Sequence, residues 1–273
     1  EQAAPEAAAG APATAASTGG GADAATNAGT SEIVTYAGTG SPKFKGDGGP
    51  SIEAGFNAPT GIALDREGNL YIAADSRIRR VDAATGVITT FAGTGRNVSK
   101  GDGGAATDAA FFEPMGITID GAGNLFVTEN SSGLVRRIDA ATSIVTTVAG
   151  GGAGNIRLRE VGDGGPATGA MIRQPADVAV DGEGNLYIAD INRVRRVDEA
   201  TGIITTFAGT GERGVEGDGG PASEAGLAEP IGLAIDDQWL VKRCDDAHAR
   251  RTAEADARHA EPKSGPTDGA VAR

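Results

Sequence analysis

The sequence predicts an all-β fold, a β-propeller of four-stranded antiparallel blades that is incomplete, with about three full blades plus flanking strands. The tetrad Gly-Asp-Gly-Gly recurs at spacings of 55, 61 and 55 residues, with its aspartates at Asp47, Asp102, Asp163 and Asp218. A second series keeps the same spacing, at Asp65, Asp120, Asp181 and Asp236. Each period holds four short runs rich in β-branched, aromatic and other apolar residues, which is the pattern of a propeller blade.

The first two strands of a unit are predicted as a tight hairpin. In the first unit, apolar runs at 61–65 and 70–74 flank the turn Arg66-Glu-Gly-Asn69. Gly68 can adopt the positive φ that such a turn requires, and the side chains of Asp65 and Asn69 can bond nearby backbone N–H groups. The equivalent first strands are predicted at 60–65, 115–120, 176–181 and 231–236.

The third and fourth strands follow at 77–82 and 87–91, separated by the turn Ala83-Ala-Thr-Gly86. No segment of the repeats shows the 3.6-residue apolar stripe of an amphipathic helix, which excludes helical repeats. A further outer strand is predicted at Ile33–Ala37, ahead of the first unit. Loops of about 18 residues, such as 96–113, join successive blades and lengthen the period beyond that of common propellers.

These motifs carry a family resemblance. The runs Pro59-Thr-Gly-Ile-Ala-Leu-Asp65, Gly68-Asn-Leu-Tyr-Ile-Ala73 and Arg77-Ile-Arg-Arg-Val-Asp82 resemble NHL repeats. Together with Thr205-Thr-Phe-Ala-Gly-Thr-Gly211 and Gly217-Asp-Gly-Gly-Pro-Ala222, they are similar to the repeats of large bacterial surface proteins and of the teneurin type. The resemblance covers about 205 residues. It implies a propeller whose first strands line a central channel, and it implies little about chemistry, because such propellers serve as binding and as enzyme-like scaffolds.

Composition divides the chain into three parts. Residues 1–31 are rich in Ala, Gly and Thr and contain no Lys or Arg, which predicts a disordered linker. Residues 32–238 hold the NHL-like blades. Residues 239–273 depart from the repeat and are predicted to be disordered or the product of a reading-frame change, with a natural fused tail as the alternative. The first residue is Glu1, so an upstream segment such as a signal peptide is expected to be missing.

The net charge of −13 argues against nucleic acid as a partner, because a phosphate backbone would be repelled. No apolar run approaches the roughly 20 residues that span a bilayer, so no membrane span is predicted. Cys244 is the only cysteine, which excludes an internal disulfide. We expect a secreted or cell-envelope location, and bacterial envelope proteins often lack disulfides.

Two glycine-rich motifs suggest ligands and are better explained as structure. The Asp-x-x-Gly-Asn turns beginning at Asp65, Asp120 and Asp181 offer oxygens that suit calcium. They lack the alternating acids and the final bidentate Glu of an EF-hand loop. The Gly-Asp-Gly-Gly tetrads look like phosphate-binding loops, but they lack the Lys-Ser/Thr and the following helix of a P-loop.

An arginine pair recurs once per blade, two or three residues before an aspartate. The pairs are Arg79-Arg80, Arg136-Arg137 and Arg195-Arg196. Arginine pairs bidentately with carboxylates, so ion pairs from blade to blade are the favoured role, and a binding face is the alternative.

No catalytic, cofactor-binding or metal-binding residue is assigned, and the binding residues are left unknown. Both histidines, His248 and His259, lie in the tail. The NHL-like lyases and gluconolactonase-type hydrolases need metal ligands around a central channel, and the sequence offers only isolated carboxylates such as Asp177 or Glu129. The latter stands where Asp75 and Asp190 occur, a difference attributed to drift.

Two functions remain open. The first is a non-catalytic binding or scaffold module that recognises a protein or glycan partner through its propeller loops and needs no cofactor. The second is a fragment of a metal-dependent propeller hydrolase or lyase. Three full blades fall short of a closed ring, so self-association through open blade faces is also expected.

Overall fold

The computed structural model describes residues 33–154 and 161–235 and the backbone of 241–243. The chain divides into two compact units, 1–34 and 35–273, and the blades belong to the second. In the part that the structure describes, no helix is long and apolar enough to cross a membrane. The predicted linker, both predicted domain boundaries and the tail apart from the backbone of 241–243 fall outside the described residues and remain predictions.

Three four-stranded antiparallel sheets follow one another along the chain, and their strands are arranged in chain order. The first blade consists of β1 (Ile62–Leu64), β2 (Leu70–Ala74), β3 (Arg77–Val81) and β4 (Ile88–Ala92). The second consists of β5 (Pro114–Ile119), β6 (Leu125–Glu129), β7 (Leu134–Ile138) and β8 (Val145–Gly150). The third consists of β9 (Pro175–Val180), β10 (Leu186–Asp190), β11 (Arg193–Val197) and β12 (Ile204–Ala208). The predicted all-β class and four-stranded blades are confirmed.

A strand pair follows the third blade. β13 (Leu233–Ile235) pairs antiparallel with β14 (Val241–Arg243), with Leu233 opposite Arg243. The sequence predicted the first of these strands, at 231–236, and the second lies in the segment that departs from the repeat. The connecting loops contain short 3-10 turns at Ser51–Glu53, Ala167–Gly169 and Ala222–Glu224.

The outer strand predicted at Ile33–Ala37 is wrong. Residues 33–36 form no regular secondary structure, and Ala37 lies in a bend. A strand is defined by the neighbour with which it exchanges backbone hydrogen bonds. Within the second unit, the contacts of this segment are instead made by the connecting loop, where Ser51 Oγ donates to Tyr36 O at 2.8 Å.

The apolar core lies between successive blades. One cluster joins Ala63, Tyr71 and Ala73 of the first blade to Ile117 and Leu125 of the second. Side chains alternate between the two faces of a strand, so the second blade buries one face against the first blade and the other against the third. An equivalent cluster lies between the second and third blades.

The connecting loops cover the outer edges of the blades. Gly48 N–H donates to Ile88 O at 2.7 Å, and Ile88 N–H donates to Gly49 O at 3.0 Å. The next two tetrads repeat the contact, from Gly103 to Val145 and from Gly164 to Ile204. An exposed outer strand would present unpaired backbone groups to other chains. The tetrad therefore protects the edge of the blade that follows it.

Candidate functional site

The two arginines of each pair point to opposite faces of the third strand, because consecutive side chains alternate. The first arginine of each pair is buried, with 0, 1 and 0% of the side chain exposed for Arg79, Arg136 and Arg195. The second is about one-third exposed and bonds the aspartate two residues further on; these pairs are Arg80–Asp82, Arg137–Asp139 and Arg196–Asp198. One member of each pair therefore belongs to the core and the other to the surface.

Each buried arginine forms an ion pair with the aspartate of the preceding tetrad. The distances are 2.5 Å for Arg79–Asp47, 2.5 Å for Arg136–Asp102 and 2.6 Å for Arg195–Asp163. The predicted pairing with carboxylates is confirmed. The predicted blade-to-blade geometry is wrong, because each arginine joins its own blade to the loop that precedes it.

A second carboxylate lies at the end of the second strand. Glu129 Oε1 accepts from Arg136 Nη1 at 2.8 Å, while its Oε2 accepts from Phe112 N–H at 3.1 Å and from Ser132 Oγ at 2.9 Å. Ser132 lies in the turn between β6 and β7, which is two residues longer than the equivalent turns of the first and third blades. The structure gives Glu129 a structural role, because its longer side chain bonds the longer turn and the buried arginine together.

The third blade makes the same contact with a shorter acid. Asp190 Oδ2 accepts from Arg195 Nη1 at 3.2 Å, and its Oδ1 accepts from Arg173 N–H at 2.8 Å. Burial raises the pKa of Asp190 above its usual value, and the Arg173 N–H and Arg195 oppose this shift. These carboxylates are occupied by structural partners.

The Asp-x-x-Gly-Asn turns are also structural. Asp65 Oδ1 accepts from Asn69 N–H, and Asp65 Oδ2 accepts from Asn69 Nδ2, both at 2.8 Å. Asn69 Oδ1 then accepts from Ala83 N–H at 2.9 Å, which ties the first turn of the blade to the second. Among the residues that the structure describes, no group of three or more His, Cys, Asp or Glu side chains could hold a metal ion. His248, His259 and Cys244 lie outside that part.

Asp177 occupies the place on the first strand that Gly61 and Gly116 occupy in the other blades. Its Oδ2 accepts from the N–H of Leu233 at 2.8 Å, and its Oδ1 accepts from Val178 N–H at 2.9 Å. Burial raises the pKa of Asp177, and these two N–H groups oppose the shift. Asp177 therefore fastens β13 to the third blade and is not a free catalytic carboxylate.

The raised pKa of Asp177 leads to a test. A folded-state pKa above the unfolded value of 3.8 favours the protonated form in the folded chain, so this contribution to stability is lost as pH rises through the folded pKa. We expect the free energy of unfolding of Asp177→Asn, relative to wild type, to increase between about pH 4 and pH 7.

Urea unfolding across that pH range measures the difference. The control is Asp82→Asn. Hydrogen bonds from Thr85 lower the pKa of Asp82, so the pH dependence of its contribution to stability falls below pH 3.8. A difference for Asp177→Asn that stays constant from pH 4 to pH 7 contradicts the assignment.

A cleft of about 620 Å³ lies between the first and second blades, at the ends that carry the turns between second and third strands. We call this end of the blades the upper rim. Its cleft is lined from the first blade by residues of 57–60, 74–77 and 95–97, and from the second by residues 113–115. Its exposed polar groups include Asn57, Asn97 and Glu113.

Hydrogen bonds hold the upper rim in one arrangement. Asn97 Oδ1 accepts from Ser76 Oγ at 3.0 Å and from Glu113 N–H at 3.2 Å. Glu113 also bonds Ser131 of the neighbouring turn. Asn57 N–H donates to both oxygens of Asp75 at 3.2 Å. The loops from two blades are therefore linked around the cleft.

The opposite ends of the blades, the lower rim, carry two further clefts of about 660 and 580 Å³. Part of their polar lining comes from the Asp-x-x-Gly-Asn turns. These turns have the same sequence pattern in each blade and use their oxygens for turn bonds. At the upper rim the residues differ from blade to blade. Asn57, for example, is replaced by Phe112 and Arg173 in the later units.

This contrast identifies the upper-rim cleft as the candidate site. A residue that recurs at the same position in every blade is needed to form the blade. A residue that differs between the blades of one chain is not needed for that purpose and can serve binding. Sequence reasoning did not find Asn57, Asn97 or Glu113. The one available signal was that these positions break the repeat while their neighbours keep it.

A family model described as the teneurin NHL domain matches residues 31–100 and 156–216. NHL repeat-containing protein 2 of Bos taurus is 36% identical over 102 residues, which are 36% of this chain and 14% of that protein. Teneurin-1 of Mus musculus is 32% identical over 100 residues, which are 36% of this chain and 4% of that protein.

A plant relative and a solved structure are also similar. Protein SUPPRESSOR OF QUENCHING 1, chloroplastic, of Arabidopsis thaliana is 27% identical over 173 residues, 61% of this chain and 16% of that protein. An auxiliary nutrient binding protein from Bacteroides thetaiotaomicron has a TM-score of 0.49 and 20% identity, with 68% of this chain and 44% of that chain covered. The chain thus spans no more than 16% of the length of these three curated relatives.

Proposed function

The chain belongs to the NHL-repeat family of β-propellers, and from this premise we propose that it is a non-catalytic binding module whose upper rim recognises a protein or glycan partner. We place it in a secreted or envelope-associated protein. The observation that carries the proposal is the upper-rim cleft, where the exposed polar lining residues Asn57, Asn97 and Glu113 break the repeat beside lining residues such as Pro114 that keep it.

The cleft has the chemistry of a recognition surface. Asn57 and Asn97 are exposed and neutral, Glu113 supplies a negative charge, and the Arg77 guanidinium supplies a positive one. Arg77 is itself positioned, because its Nη2 donates to Thr94 O at 3.0 Å and its guanidinium lies 4.0 Å from the centre of the Phe44 ring. A polar surface that is already ordered loses little conformational entropy when it binds.

Three carboxylates of the described strands are engaged by structural partners. Glu129 and Asp190 bond buried arginines, and Asp177 bonds the backbone of β13. Among the described residues, no specific observation therefore favours a metal-dependent hydrolase or lyase. The experiment below includes an outcome that would support it.

Binding is tested with a blocked cleft. Asn57→Arg places a long charged side chain at the mouth of the cleft, and the two hydrogen bonds to Asp75 are preserved because Asn57 contributes its backbone N–H to them. The matched control is Thr107→Arg, which adds the same charge at an exposed lining residue of a lower-rim cleft. Both variants and the wild type are screened on a glycan array and against purified extracellular proteins.

We expect a partner of the wild type to lose at least about tenfold in affinity for Asn57→Arg, a change of about 1.4 kcal/mol, and to bind Thr107→Arg as it binds the wild type. A partner that is lost only with Thr107→Arg places recognition at the lower rim. Turnover of lactones or esters by the metal-loaded protein would overturn the binding function in favour of the enzyme.

A further inference from the structure

The first strand of the first blade exposes apolar side chains that the other blades bury. Ile62 is 68% exposed and Leu64 is 64% exposed. The residues at the position of Ile62 in the second and third blades, Ile117 and Val178, are 6 and 2% exposed. The difference arises from the neighbour, because the second and third blades each have a preceding blade against this face.

The contact between neighbouring first strands is close and specific. Thr60 Oγ1 of the first blade donates to Pro114 O of the second at 2.8 Å. A Cβ added to Gly61 would clash with Met115 O, so only glycine permits the approach at this point. The chain therefore already contains the interface that the exposed face of β1 is shaped to form.

Beyond β1 the same face is covered by loop residues, because Ala37 and Phe56 pack against the buried Ile72 and Val81, but one aromatic position beside it is open to solvent. Tyr36 stands at the position that Phe91 and Phe207 occupy in the fourth strands of two blades. These two rings meet Tyr71 and Tyr187 edge-on, with centroids 5.0 and 5.1 Å apart. Tyr36 is 51% exposed, and its segment forms no ladder. We call the exposed apolar surface formed by Ile62, Leu64 and Tyr36 the notch.

The strand pair β13–β14 has the complementary surface. Ala234 is exposed and corresponds to Ala63, which the first blade packs against the second. Ile231 is 68% exposed at the position of Thr60, where the contact to the next blade is made. The pair corresponds to the first two strands of a blade. The segment around Tyr36 corresponds to the fourth, outer strand of that same blade.

We propose that the notch of one molecule receives the β13–β14 pair of a second copy of this chain, head to tail. The contact continues the interface that β1 makes with β5 and β5 makes with β9, and it covers apolar side chains that would otherwise face water. The described residues of each copy form four blade positions, so two copies present eight, which lies within the range of four to eight blades of closed propellers. Such a repeated head-to-tail contact closes when the rotation returns to its start.

The test is sedimentation velocity of the full 273-residue chain over a series of concentrations. The notch variant carries Ile62→Asp and Leu64→Asp. The control carries Val98→Asp and Val215→Asp, which add the same charges at loop valines that are 48 and 75% exposed. We expect the wild type to dimerise, the notch variant to weaken dimerisation by at least about tenfold, and the control to change it little. Circular dichroism checks folding, and Ile62→Ala with Leu64→Ala replaces a notch variant that fails to fold.

A mixing experiment tests the head-to-tail arrangement. The tail variant carries Ile231→Asp and Ala234→Asp, so it retains an intact notch. We expect each variant alone to be monomeric and an equal mixture to form a dimer, because the mixture contains one intact notch and one intact tail. A wild type that is monomeric at every concentration, a control as weak as the notch variant, or a mixture that stays monomeric would overturn the proposal.

Discussion

Arg136→Met is expected to lower the free energy of unfolding by about 3–5 kcal/mol, because removing one partner of a buried ion pair leaves the other charge without compensation. Arg136 is 1% exposed and Glu129 is fully buried. The substitution also removes the 2.5 Å ion pair to Asp102, which joins the connecting loop to the blade. Urea unfolding followed by circular dichroism measures the loss.

The control is the neighbouring residue on the same strand. Arg137→Met removes an ion pair to Asp139 in which both side chains are about one-third exposed, and such pairs contribute about 1 kcal/mol or less. A double variant, Arg136→Met with Glu129→Gln, should recover part of the loss, because it removes the orphaned charge. Equal losses for Arg136→Met and Arg137→Met would contradict the burial argument.

The blades could be predicted from the sequence because their signals are local. Tight turns need Gly and Asn at fixed places, and strands need apolar runs of the right length, so Asp65, Gly68 and Asn69 indicate a hairpin without reference to the rest of the chain. The tetrad spacing then locates the repeat. All of the predicted first strands have a counterpart within about two residues in the structure.

The contacts of charged residues could not be predicted in the same way. Two adjacent arginines on a strand must point to opposite faces, so the alternation alone implied that one of them faces the core. Sequence reasoning instead assigned both arginines of a pair one role, ion pairs from blade to blade. Which carboxylate compensates Arg136 depends on how a loop 34 residues earlier folds back onto β7, and no local pattern records that.

Departures from the repeat were the weakest predictions. Asp177 replaces a glycine at a close approach between strands, and its role became visible only when Leu233 N–H was found 2.8 Å from its carboxylate. Residues 33–37 have a strand-like sequence and no ladder, because pairing requires a neighbour that the described part of the chain does not provide. The upper-rim residues likewise form a cleft only through the loops that the fold brings together around them.

Gly101→Ala is expected to lower the free energy of unfolding by about 2–5 kcal/mol, since it adds overpacking to an unfavourable backbone conformation. Gly101 has a φ of +100°, and a Cβ there would lie 2.8 Å from the Cα of Ala109. Its movement would also displace Asp102 from Arg136. The same close approach recurs in each tetrad, between Gly46 and Ala54, Gly162 and Ala170, and Gly217 and Ala225.

Gly103→Ala, two residues further along the same tetrad, separates the two causes. Gly103 also has a positive φ, of +78°, but a Cβ there would meet no atom within 4 Å. We expect it to cost only the backbone term of about 1–2 kcal/mol. Ala109→Gly should rescue Gly101→Ala only slightly, because the nearest atom is the Cα of Ala109 and remains in place. Thermal and urea unfolding of the three variants measure these losses. If Gly101→Ala and Gly103→Ala lose the same stability, backbone conformation alone accounts for the cost of Gly101→Ala, and the packing of the tetrad against the loop contributes nothing.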